Sequence, residues 1–131
     1  MKHARNRQLL ILVRSGVLAL ALSSFAQPAF SVDPQYQPQM QRLLQLIGSL
    51  YFLQPLCGFD EQDWRGHAAE LISLDQPSDD RRQRLIGSFN EGYEAYARLY
   101  RECTEAARVA QIRLLAEAKD LSQDIHSRYA E

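Results

Sequence analysis

The stretch that decides the fold runs from Phe89 to Thr104, F-N-E-G-Y-E-A-Y-A-R-L-Y-R-E-C-T. Phe89, Tyr93, Tyr96 and Tyr100 are spaced four, three and four residues apart, so a helix lines all four rings along one face. Cys103 closes that stripe, and Thr104 is a residue type that caps a following helix. The rest of the chain reads as cover for this face.

Towards the C-terminus, a helix is predicted from Thr104 to about Tyr129. Its apolar line is Ala107, Leu114, Ala118, Leu121 and Ile125, widened by Ile112 and Leu115. The helix that carries the rings is predicted to begin at Ser78 or Asp79 and to end near Glu102, with Leu85, Ile86, Phe89, Tyr93, Tyr96, Ala97 and Tyr100 inward. Gly87 and Gly92 inside it each cost roughly 1 kcal/mol relative to Ala. Close approach of another helix accounts for them, with Gly92 beside the stripe. Upstream, Asp75-Gln76-Pro77-Ser78 breaks a second helix that Asp60 can cap, with Glu61 and Asp63 near its positive end. Trp64, Ala68, Leu71 and Ile72 form its buried face. In a first helix, Leu43, Leu44, Ile47, Leu50 and Tyr51 keep helical spacing after Met40. Pro38 suits its first turn, Pro55 is expected to stop it, and Leu56-Cys57-Gly58 to make the turn. No segment alternates with period two over a strand's length. The expected fold is all-α: a small up-and-down bundle of about four helices, stapled by one disulfide.

The first residues read differently. Lys2, Arg5 and Arg7 precede an apolar run from Leu9 to Leu22 that only Arg14 and Ser15 interrupt, and small residues follow. That is the pattern of a secretory signal peptide over residues 1–31, with cleavage after Ala26 or after Ser31. Arg14 leaves too short an unbroken run for a membrane span of about 20 residues. A single helical domain over 32–131 is expected to remain, periplasmic and with no stable membrane insertion. The whole chain has 15 basic and 16 acidic residues. The leader removes Lys2, Arg5, Arg7 and Arg14 and no acid, leaving 11 against 16 and a net charge of −5. Such a domain is not drawn to nucleic acid or anionic lipid.

Cys57 and Cys103 are the only cysteines. An even count in an exported chain reads as a disulfide. In an up-down-up-down path the first and third helices end at the same pole, where both cysteines sit. A bridge there requires Cα atoms within about 7 Å.

Motifs that carry chemistry are sparse. His67 follows Asp63 by one helical turn and His126 follows Asp124, but without H-E-x-x-H or C-x-x-C no metal site is expected. C-x-x-C-H is absent, so no haem or other cofactor is expected, and neither is G-x-S-x-G. Glu70, Glu91 and Glu94 flank the core faces as acids do on any bundle. No catalytic residue is assigned. Two surfaces remain as candidates for binding. Tyr93, Tyr96 and Tyr100 could stack on a glycan or peptide, although their spacing equally suits core packing with each phenol reaching a rim. Arg81, Arg82 and Arg84 could dock an acidic partner, although a solvated helix start is the plainer reading, with Asp79 and Asp80 compensating their charge.

The segments L-Y-F-L-Q-P-L-C-G (Leu50 to Gly58), R-R-Q-R-L-I-G-S-F-N-E-G-Y (Arg81 to Tyr93) and Y-A-R-L-Y-R-E-C-T-E-A-A (Tyr96 to Ala107), together with Trp64, resemble a family of small exported proteins of Gram-negative bacteria of unknown function. The resemblance implies export and pairing of Cys57 with Cys103, and it transfers no activity. The resulting expectation is a non-catalytic cell-envelope factor acting through protein contacts. The alternative is a glycan- or peptidoglycan-binding module, or a hydrolase cofactor, that uses the tyrosine face.

Overall fold

The computed structural model describes residues 32–58 and 62–130. The predicted leader over 1–31 and the predicted cap Asp60 lie outside the described residues. Four helices follow in order: α1 (Gln37–Cys57), α2 (Trp64–Asp75), α3 (Asp79–Leu99) and α4 (Glu105–Tyr129). No strand is present among the described residues. The all-helical, disulfide-stapled bundle is as expected.

Several helix ends follow from their capping chemistry. Ser78 Oγ accepts the Arg81 N–H at the start of α3, and Thr104 Oγ1 accepts the Ala107 N–H at the start of α4, 3.2 Å away. At α2 the cap is Asp63, whose carboxylate accepts the Gly66 N–H at 2.9 Å. It lies immediately before Trp64 and takes the role assigned to Asp60. Pro55 does not end α1. It lies in the last turn, where its missing N–H forgoes a single bond. The helix runs on to Cys57, and Gly58 closes it in the left-handed conformation (φ 68°), its N–H donating to the Gln54 carbonyl at 2.9 Å. α3 stops at Leu99, short of Glu102, because Tyr100 turns extended (φ −123°). That turn carries Cys103 beside Cys57.

The centre of the fold is α1 rather than the ring stripe of α3. Leu44, Leu46, Leu50 and Leu53 are fully buried, joined from outside α1 by Leu85. Leu44 and Leu46 project about 200° apart on a helix, so α1 is covered on opposite sides. All three other helices pack on it, α2 touches α3 only lightly, and α3 and α4 make no close backbone approach. α1 and α3 run parallel: Arg81 Nε donates to Gln37 Oε1 at 2.7 Å near one end, and Cys57 bonds Cys103 at the other, with Cα atoms 4.9 Å apart. α2 and α4 run antiparallel to α1. Tyr36 meets Asp75 of α2 (2.6 Å) and packs against the Tyr129 ring of α4, and Arg42 pairs with Glu117 (2.8 Å).

The α1–α3 contact is made through two glycines. A Cβ on Gly92 would overlap the Gln45 carbonyl, and one on Gly48 would overlap the Phe89 carbonyl. Ser49 Oγ also lies within hydrogen-bond distance of the Gly92 carbonyl (3.1 Å). Gly92 therefore has the reason expected of it, while Gly87 faces open space. The inward line of α3 is accordingly Arg81, Leu85, Ser88 and Gly92. The predicted inward residues Ile86 and Tyr93 are exposed, and Phe89, Tyr96 and Tyr100 are half-buried flanks of the contact.

Gly48→Ala and Gly92→Ala should each destabilise by about 3 kcal/mol, as overpacking does. Gly87→Ala should be neutral or stabilise by up to about 1 kcal/mol, and urea unfolding of the three variants checks both. Cys57→Ser should lower stability by about 4 kcal/mol, as expected for a loop of this length, read from the same denaturation curves.

Candidate functional site

The four-ring stripe divides. Phe89 and Tyr93 turn towards α1, where Tyr51 lies 5.8 Å from each ring centre and Phe52 meets Tyr93 edge-on at 5.5 Å. Tyr96 and Tyr100 stack on one another at 6.1 Å, with an interplanar angle of 20°. Burial raises the Tyr96 phenol above its usual pKa, and neighbouring Tyr100 adds to the effect.

Tyr51, Phe52 and Tyr93 line an open groove of about 950 Å³, whose other walls include Gln54, Pro55 and Asp63. Tyr51 and Tyr93 also line an adjoining hollow of about 420 Å³, walled by Ala68, Ala69, Ile72 and Phe89. Tyr93 is 38 % exposed, so its ring is available at the junction of the two. Gln54 is only 7 % exposed, and its Oε1 has no hydrogen-bond partner among the described residues, as is also the case for side-chain atoms of Gln37, Gln39 and Gln111.

The sequence reading included Tyr93 but omitted Tyr51, Phe52 and Gln54 from the candidate surface. A signal was present. Gln54 continues the Ile47–Leu50 spacing, which puts a polar group on a buried register.

The arginine cluster also divides. Arg81 is buried among groups from three elements. Its Nε donates to Gln37 and a terminal nitrogen to Asp75 at 2.5 Å, and the Tyr36 ring centre lies 5.9 Å from the guanidinium carbon. The Tyr36 hydroxyl donates to the other Asp75 oxygen at 2.6 Å. That hydrogen bond, with burial, raises the Tyr36 phenol above its usual pKa. Arg84 pairs with Asp33, at 2.7 Å to both oxygens, and with Asp80. Only Arg82 of the three has no carboxylate partner among the described residues. The cluster serves largely to join the start of α3 to α1 and α2.

Other polar candidates lie apart. Glu70 and Glu91 are exposed, and Glu94 pairs with Arg98 at 3.6 Å. His67 is exposed, and Asp63 is committed to capping. Among the described residues no group of three or more His, Cys, Asp or Glu could hold a metal ion. No described helix is long and apolar enough to cross a membrane.

Fold and site together define a small, disulfide-stapled helical domain with an aromatic groove beside its central helix. The chain belongs to the family described as "Protein of unknown function (DUF2385)", which it matches over residues 35–129. That match begins just before α1 and ends with the last residue of α4, so the family unit is the helical domain itself. No curated protein and no solved structure matches the chain.

Asp75→Ala should destabilise the protein by 3–5 kcal/mol, roughly the cost of leaving a buried charge without its partner. Asp80→Ala, on an exposed pair, should cost about 0–1 kcal/mol. Thermal unfolding of the two variants distinguishes them.

Proposed function

We propose that this protein is an exported, periplasmic, non-catalytic factor of the cell envelope that acts by docking a partner protein. The observation that carries this reading is the outward side of α4. Ala107, Leu114 and Ala118 are buried on the inner side of that helix, whereas Ile112 is 61 % and Leu115 49 % exposed, and Val109 is exposed beside them. Ile112 and Leu115 were expected to widen the core-facing line. They lie instead away from the core, because α1 is the one described helix that α4 packs against. A grouped apolar surface with charged residues around it is the usual composition of a protein-binding patch. Arg113, Lys119 and Asp120 border this one together with the Arg108–Glu105 pair (3.7 Å), so charges of both signs surround the apolar ridge.

The leader pattern in the sequence supports export. So does the Cys57–Cys103 bond, which belongs to an oxidising compartment.

Affinity capture from the envelope fraction should recover a partner with the wild-type protein. Ile112→Lys should reduce that recovery at least tenfold while the melting temperature stays within about 2 °C, because the side chain is exposed. Equal recovery by the two proteins, or none by the wild type, would remove the α4 face from the function.

A further inference from the structure

We propose that the outward face of α4 docks a second copy of this chain, with the two α4 helices antiparallel about a two-fold axis at Ile112. The inference rests on the docking reading given above and names the partner that the face takes.

The first observation is where the apolar residues stand. Val109, Ile112 and Leu115 are 36 %, 61 % and 49 % exposed, and their spacing of three makes one ridge with Ile112 at its middle. Glu105 and Lys119 lie seven residues to either side of Ile112, which places each within about 20° of it around the helix. Arg108 and Ala116 lie four residues to either side, about 40° round. All four of these flanking residues are exposed. The face is therefore centred on a single residue, and its flanks are spaced evenly about that centre.

The second observation is the order of the charges. Glu105 and Arg108 precede Ile112 and pair with one another at 3.7 Å, and Lys119 and Asp120 follow it. Each end of the ridge thus carries one acid and one base. An antiparallel two-fold sets each residue before Ile112 beside the residue equally far after it on the other copy. Glu105 of one copy then meets Lys119 of the other, at both ends of the contact. Val109 and Leu115 come to one level beside the paired Ile112 side chains. Arg108 lays its aliphatic stem alongside Ala116, which is too small to obstruct it. Parallel helices in the same register would instead oppose Glu105 to Glu105 and Lys119 to Lys119, and like charges so placed repel. Arg113 lies about 100° round from Ile112, at the edge of the face, where its charge stays in water.

The same charges discriminate among occupants. A uniformly anionic surface would meet an acid at each end of the ridge, and a uniformly basic one would meet a base. A partner with the same mixed order in reverse suits both ends, and a second copy turned through the two-fold carries that order. The contact is small. From Glu105 to Lys119 the helix rises about 21 Å, and one helix face of that length falls short of the roughly 800 Å² per partner usual in stable complexes. The dimer is accordingly weak and reversible.

The test is sedimentation equilibrium of the protein purified from the envelope fraction, disulfide intact, at loadings up to about 1 mM, where weak association is still visible. The expected result is a reversible monomer–dimer equilibrium. Ile112→Lys should weaken dimerisation at least tenfold. Lys119→Glu should do the same, because it sets acid against acid at both ends. Adding Glu105→Lys to the Lys119→Glu chain should restore the dimer to within threefold of wild type, and the melting temperature of each variant checks that it is folded. A chain that stays monomeric over the whole range would overturn the proposal. So would a dimer that either Ile112→Lys or Lys119→Glu leaves unchanged, or a loss with Lys119→Glu that Glu105→Lys fails to restore in a folded chain. The broader docking reading fails separately. A monomeric protein whose affinity capture still recovers a different protein, in a way that depends on Ile112, ends the self-docking proposal alone; a monomeric protein that captures nothing ends both.

Discussion

At Gly48 and Gly92 the backbones of α1 and α3 meet with no side chain between them, and most of the architecture follows from that approach. Two helices this close have room only for glycine at the crossing. At that level of α3 anything larger is displaced to the sides of the contact, which is why the aromatic rings lie on flanks and not in the core. Ser49, reaching the Gly92 carbonyl, ties the crossing with a polar contact in the same narrow space. On one flank, the displaced rings Phe89 and Tyr93 meet Tyr51 and Phe52 and form the groove.

A parallel helix pair cannot be joined by a short turn, because the chain must return along the whole length of the first helix before the second begins. α2 provides that return, and α4 covers another side of α1. The pair is also secured at both ends by unlike means. The Cys57–Cys103 bond holds one end covalently, and the buried Arg81, with Asp75, Gln37 and Tyr36, holds the other. A buried ion pair contributes little net stability compared with apolar packing. It does fix which residues must meet, and so sets the register of α3 along α1.

Much of this was legible in the sequence, in proportion to how local the signal is. Caps such as Ser78 and Thr104 are read from neighbouring residues, and the helices they open were placed correctly. The cysteine pairing followed from count, the expectation of export and topology. The direction of a helix face was harder to read. Spacing gives the stripe Phe89–Tyr100 but cannot say whether it points into the core, because that depends on Gly48, forty residues away in the sequence. Arg81 looked like a surface cation for the same reason: its partners Gln37 and Asp75 lie on other elements. In α1 the clue was composition. Leu43, Leu44, Leu46, Ile47, Leu50 and Leu53 are too many for one stripe, and a helix apolar all round is a buried one. Gln54 on a buried register was visible in principle.

The central position of α1 has a consequence for the order in which the chain is made. Synthesis delivers the described helices from α1 onward, so the helix with the largest apolar surface exists before anything that covers it. Its leucines wait for α3, which forms the closest contact, and then for α4, whose far end returns to Tyr36. Exposed apolar surface of this kind is what drives association between incomplete chains. The burden on nascent α1 therefore falls on whatever accompanies the polypeptide until its last helix is available, and substitutions in α3 or α4 that delay docking should be felt first as a lower yield of folded protein.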